Sequence, residues 1–154
     1  MLCLDYSHSV DNKNEFALMR FIEERDNVSN ISIIKQSDYE NIHSILYTCN
    51  GSIKLFIMEK STISNRYKYF DGSGGSSGFG TYNCFDSNGV LIIVYGDNSS
   101  LNASKYAMEN GTVTYLENIE NIDYVLRIYR FPRSFDMNSN LYLYDSNGGL
   151  IREY

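Results

Sequence analysis

Tryptophan is absent from this 154-residue chain, proline occurs once, at Pro132, and cysteine three times. One proline excludes a polyproline or Pro-rich linker architecture and bars regular pairing only near position 132. Cys3, Cys49 and Cys84 are odd in number and irregularly spaced, and no C-x-x-C occurs. That excludes a disulfide framework and a zinc or thiol-exchange motif, leaving a single Cys49–Cys84 bond open in an oxidising compartment. Long apolar runs are also missing. The longest, Val90–Tyr95, is strand-sized, far below the ~18–20 residues that cross a bilayer as a helix. Positive charge is short: 13 Lys and Arg stand against 19 Asp and Glu, a net charge of −6. A phosphate backbone is repelled by that balance, which argues against a nucleic-acid partner. No complete signal peptide is present. The start Met1-Leu2-Cys3-Leu4 reads either as the stub of an anchor or as a first strand.

Motifs of catalysis are equally scarce. The two histidines, His8 and His43, form no H-x-x-x-H or H-E-x-x-H pair, so no metal ligand set is expected. A Cys49–His43 nucleophile pair fails on distance. Six residues along a strand span about 20 Å, and along a helix roughly 9 Å. No G-x-S-x-G elbow occurs. The segment Gly72–Gly80, GSGGSSGFG, fits neither G-x-G-x-x-G nor a Walker loop and reads as a flexible hairpin loop. Asp86-x-Asn88-Gly89 and Asp145-x-Asn147-Gly148 open like calcium loops but lack the later ligands and the bidentate Glu, so they read as turns. No cofactor is expected.

What remains is hydrophobic content of 43%, 14 Tyr, and abundant Asn and Ser. Tyr suits the half-buried face of a strand, and Asn suits left-handed turn positions. An AT-rich genome also favours Asn, Ile, Lys and Tyr. Residues 11–26 read as the one helix. Asn12 followed by Glu15 resembles a capping box, Phe16, Met19, Phe21 and Ile22 supply the apolar stripe, and Asp26-Asn27 ends it. Beyond it the period becomes two. Val28–Gln36 reads as a strand, and Ile42–Cys49 and Ser52–Lys60 flank Asn50-Gly51, a strong hairpin signal. A competing pattern exists: Ser37-x-x-Glu40 is itself a capping box, with Ile42, Ile45, Leu46 and Cys49 at helical spacing. The strand reading is preferred because the run after Gly51 is plainly β. Arg66–Asp71 reads as the next strand. Thr81–Phe85 with Val90–Gly96, Lys105–Met108 with Thr112–Leu116, and Leu141–Tyr144 with Leu150–Tyr154 read as hairpins. Tyr124–Phe131 alternates with Val125, Arg127, Tyr129 and Phe131 on one face, and Pro132 stops it.

The succession Ile33-Ile34-Lys35, Ile45-Leu46-Tyr47, Asn65-Arg66-Tyr67-Lys68-Tyr69, Val94-Tyr95-Gly96-Asp97-Asn98 and a final Tyr-Asp-x-x-Gly hairpin resembles small exported or membrane-anchored proteins of low-GC Gram-positive bacteria. The likeness covers roughly Ile31 to the end. It implies an extracytoplasmic α+β domain with an anchor or signal ahead of it, and no activity or catalytic residue to carry over.

These readings converge on an α+β chain. An N-terminal helix would pack on an antiparallel meander over 1–80, and a hairpin-rich, sandwich-like part would follow over 81–154. The expected function is a non-enzymatic extracytoplasmic module that binds a protein or cell-wall partner. Tyr67, Tyr69, Tyr142 and Tyr144 would form its recognition surface, since Tyr joins a large rigid ring to a polar tip. An intracellular acidic inhibitor of the toxin-immunity kind is the alternative. An enzyme is third, and needs a pocket joining Cys84, a His and a carboxylate.

Overall fold

A computed structural model of the chain describes residues 9–61, 66–76, 78–86, 88–110, 113–135 and 140–154. The chain is mostly antiparallel β with one short helix, so α+β overstates its helical part. It divides into two compact units, Met1–Ser77 and Gly78–Tyr154.

The first unit comprises β1 (Ser9–Val10), α1 (Glu15–Asp26), β2 (Ser32–Tyr39), β3 (Ile42–Cys49), β4 (Ser52–Lys60) and β5 (Tyr67–Ser76). Helix α1 starts later than the sequence suggests. Its cap is Asn14, whose Oδ1 accepts from the Ala17 amide at 3.1 Å, and the Asn12–Glu15 capping box does not form. Its end is as expected: Asn27 takes the left-handed conformation, φ 51°. The buried stripe is Leu18 and Ile22, flanked by Ala17, Met19 and Phe21. Phe16, assigned to the stripe from sequence, is 67% exposed. Two positions from Leu18 at 100° per residue put it on the opposite side, where Arg20 stacks on its ring. Asn14→Ala is expected to cost about 1 kcal/mol in urea unfolding, while Asn12→Ala leaves the midpoint unchanged. Equal losses at both positions would restore the capping-box reading.

Strands β2 to β5 form an antiparallel meander, and β1 adds to the far edge of β5, giving the order β1-β5-β4-β3-β2. The β3–β4 hairpin turns through Asn50 (φ 51°) and Gly51 (φ 77°), the positive pair that an Asn-Gly turn supplies. The β2–β3 hairpin turns through Glu40, also at positive φ, with Tyr39 opposite Ile42. The Ser37–Glu40 capping box is therefore not used. The glycine-rich segment is not the loop expected from sequence. Residues 72–76 continue β5, with Gly72 opposite Phe56 and Ser73 opposite Leu55. A side chain at Gly72 would stand 3.1 Å from the Leu55 carbonyl oxygen, so close strand approach explains the glycine there better than flexibility does. One apolar cluster joins Leu18 and Ile22 with Ile45, Tyr47, Phe56 and Met58.

The second unit comprises β6 (Phe79–Asp86), β7 (Gly89–Asp97), β8 (Lys105–Asn110), β9 (Val113–Asn118), β10 (Tyr124–Phe131), β11 (Asn140–Tyr144) and β12 (Leu150–Glu153). They make a three-stranded sheet, β10-β7-β6, and a four-stranded sheet, β12-β11-β8-β9. Residues of both sheets share one core, including Val90, Ile92, Val94, Tyr106, Met108, Leu141 and Leu143, in a sandwich-like arrangement. Asn98, buried after β7, holds this core's connections together. Its Nδ2 donates to the carbonyls of Ala103 (2.9 Å) and Ile122 (3.0 Å), and its Oδ1 accepts from the Ala103 amide at 2.8 Å. The two DSNG segments fold differently. In the first, Asp86 pairs directly with Gly89. In the second, Asp145 Oδ1 accepts from the amides of Asn147 (2.8 Å) and Gly149 (2.7 Å). That carboxylate serves its own turn, which fits the turn reading of the calcium-like pattern.

Candidate recognition surface

Alternation along β11 puts Leu141 and Leu143 into the sandwich core and turns Tyr142 and Tyr144 to the outer face of the four-stranded sheet. Register carries that face across the strands. Tyr142 stands opposite Ala107 on β8, which stands opposite Leu116 on β9. Tyr144 stands opposite Lys105 on one side and Leu150 on the other. Leu116 is 66% exposed and Leu150 58%, while Tyr142 and Tyr144 are half-buried. Ala107 between them is buried, so the larger neighbours form the surface. The Lys105 ammonium lies 5.5 Å from the Tyr144 ring centroid, and the Asn140 side-chain amide donates to the Tyr142 hydroxyl at 3.1 Å. Glu109 and Glu153 flank the rings on the same face. The result is an aromatic and aliphatic strip edged by charge, on a rigid sheet.

Tyr67 and Tyr69 are elsewhere, in the first unit, and face inward. Tyr67 is 9% exposed, with its ring 5.3 Å from that of His43. Tyr69 lies 5.0 Å from Phe56 and carries the Arg25 guanidinium 4.8 Å over its ring. Burial pushes both phenols up; Asp38 adds to this at Tyr67, and Asp71 and Asp26 at Tyr69. These two belong with the apolar cluster around α1, and no shared surface of four tyrosines is formed by contact within one unit.

His43, also buried, has both ring nitrogens engaged. Nδ1–H donates to Asp38 Oδ1 at 2.6 Å, and Nε2 is hydrogen-bonded to Gln36 Oε1 at 3.0 Å. Since 42–49 is a strand, Cys49 sits six residues along from His43, and its thiol donates to the Ser29 carbonyl at 3.7 Å. Cys49 and Cys84 are free thiols. Among the described residues no group of three or more His, Cys, Asp and Glu is placed to hold a metal ion, and no helix is long and apolar enough to cross a membrane.

A polar cluster that runs from buried Tyr106 out to a half-exposed ion pair was missed from sequence. Arg127 Nε donates to Glu117 Oε1 at 3.2 Å, Tyr129 OH reaches Glu117 Oε2 at 3.5 Å, and the hydroxyls of Tyr129 and Tyr106 hydrogen-bond each other. The clue lies in β10, where Arg127 and Tyr129 share a face with Val125 and Phe131, both core residues. Tyr106 is fully buried, and so is Tyr47 in the first unit, which donates to Asp26. Burial first, then these hydrogen bonds, push both phenols well above their ordinary 10.0. A raised value means the folded state keeps a proton that the unfolded chain gives up. The stabilisation is complete below pH 10 and is lost as pH climbs above it, at ~1.4 kcal/mol per pH unit for each tyrosine. Urea midpoints measured from pH 9 upward should hold level and then drop steeply beyond pH 10. A level response throughout would mean the two rings are not protected.

No family model, curated protein or solved structure matches the chain.

Proposed function

We propose that the chain is a non-enzymatic binding module working outside the cytoplasm, with the outer face of the four-stranded sheet as its contact surface. The observation that carries this reading is the strip of Tyr142, Tyr144, Leu116 and Leu150, left at the surface by strands whose other face fills a core. Rigid aromatic rings with polar tips bind at low entropic cost, and the sheet beneath them needs no reorganisation. The partner class is a cell-wall polymer or a protein embedded in the wall, in keeping with the resemblance to exported Gram-positive proteins. In this reading α1 covers one face of the first sheet, supported by the cluster that Leu18 and Ile22 share with Ile45 and Phe56.

Co-sedimentation with purified sacculi of a low-GC Gram-positive bacterium tests it. The intact protein should pellet with the sacculi, and a Tyr142→Ser/Tyr144→Ser variant should bind about ten-fold more weakly, the equivalent of 1.4 kcal/mol. Retention on protease-stripped sacculi identifies the polymer as partner, and loss on stripping identifies a wall protein. No pelleting, or equal pelleting of wild type and variant, sinks the reading. The net charge of −6 favours one second reading, an intracellular inhibitor docking on a basic active site. That reading requires the native protein in the cytosolic fraction and a partner whose association slows steeply with salt.

A further inference from the structure

The first unit contains a cavity of about 590 Å³ lined by Asp11, Lys13, Asp38, Lys60, Arg66 and Tyr67. Strand register explains how these residues meet. Val10 pairs with Tyr67 and Lys60 pairs with Tyr67 from the other side, so the turn after β1, the end of β4 and the start of β5 converge. Three of the chain's 13 Lys and Arg line this one cavity, in a molecule whose net charge is −6. Two carboxylates share the lining and keep their charge, each with one oxygen in a hydrogen bond within the protein, so the cations outnumber the acids by one. Asp11 Oδ1 accepts from the Lys13 amide at 3.0 Å, and Asp38 Oδ1 accepts from His43. Among the described residues neither Lys13 nor Lys60 has an ion-pair partner.

We infer that this cavity is a binding site for a small phosphorylated molecule. Two ammonium groups act as point charges and a guanidinium adds a planar fork, a set that suits a dianion better than a single carboxylate. The volume falls in the ~300–1,000 Å³ range of small-molecule pockets and is larger than bare phosphate fills, leaving room for an organic part. Backbone-amide NMR titrations with inorganic phosphate, phenyl phosphate and acetate, at matched ionic strength, test the inference. Both phosphates should give saturable shifts concentrated at residues 11–13, 38, 60 and 66–67. Lys60→Gln/Arg66→Gln should weaken binding about ten-fold, and Lys13→Gln on its exposed turn should weaken it as well. Lys105→Gln, in the other unit, should change nothing. The inference is overturned if shifts scatter over all lysines without saturating, if the cavity variants bind like wild type, or if acetate matches phosphate. Because the sheet face tested with sacculi lies in the second unit, the two results are independent.

Discussion

Replacing Asn98 by Ala should destabilise the second unit by about 3 kcal/mol, and replacing it by Asp should cost at least as much. The side chain is buried and bonds both the amide and the carbonyl of Ala103, while also reaching the carbonyls of Ile119 and Ile122. Truncation to Ala strands those backbone groups away from water, at ~1–3 kcal/mol for each buried group left unsatisfied. Asp keeps the shape but swaps the donating Nδ2 for a second acceptor, so that three carbonyl oxygens face an oxygen. With no tryptophan in the chain, near-ultraviolet tyrosine dichroism during urea unfolding is a suitable readout. An Asp variant as stable as wild type would show that the amide's donor is not what holds the connections together.

The second large effect belongs to Gly89→Ala, expected to lower stability by about 3–5 kcal/mol. Gly89 sits at φ 144°, and a Cβ there would lie 2.2 Å from the carbonyl oxygen of Phe131. The obstacle is backbone at the end of β10, paired to β7 with Phe131 opposite Val90, so it has little freedom to retreat. Positive-φ strain of ~1–3 kcal/mol then adds to a steric term of similar size. Gly148 is the control, holding the same place as Gly89 in the other DSNG segment. Its φ is 84°, yet the nearest atom a Cβ would meet is the Lys105 Nζ at 4.0 Å. Gly148→Ala should cost only the strain, about 1 kcal/mol. Equal losses in the two variants would refute the steric argument.

These two turns also show what the sequence can and cannot tell. Asp-Ser-Asn-Gly marked both correctly as turns, because its chemistry is local. Their different geometry depends on what stands opposite, the Phe131 carbonyl in one case and solvent in the other. Tyr124–Phe131 was legible to the residue, since β-branched, aromatic and aliphatic residues fill it and Pro132 stops it, even though Val125 and Leu126 on opposite faces are both buried. Ile42–Cys49 was ambiguous because nearly every residue in it is buried, which erases the period of two and lets helical spacings arise by chance. Gly72 was misread because glycine permits flexibility and close strand approach alike, and only the neighbouring Leu55 carbonyl distinguishes them. At the recognition surface, Tyr142 and Tyr144 could be placed on an outer face once Leu141 and Leu143 were seen as core. Tyr67 and Tyr69 could not, because one face of their strand is claimed by the cluster around α1, which the local pattern does not encode. Leu116 and Leu150 were missed altogether, as their nearness to the tyrosines exists only through cross-strand register.

The two sheet systems also differ in how far the chain must travel to close them. In the first unit β2 to β5 pair with sequence neighbours, and among the described strands only the two-residue β1 reaches past them, to β5. In the second, β10 returns to β7 past the whole β8–β9 hairpin, and β11 returns to β8 past β10. Closing longer loops before any contact rewards them slows a folding reaction. Refolding after a denaturant jump should therefore resolve into a faster phase from the amino-terminal half and a slower one from the carboxy-terminal half, with Gly89→Ala perturbing only the slower. During synthesis the quicker half also leaves the ribosome first, so its meander is set before the later strands have begun to search for partners.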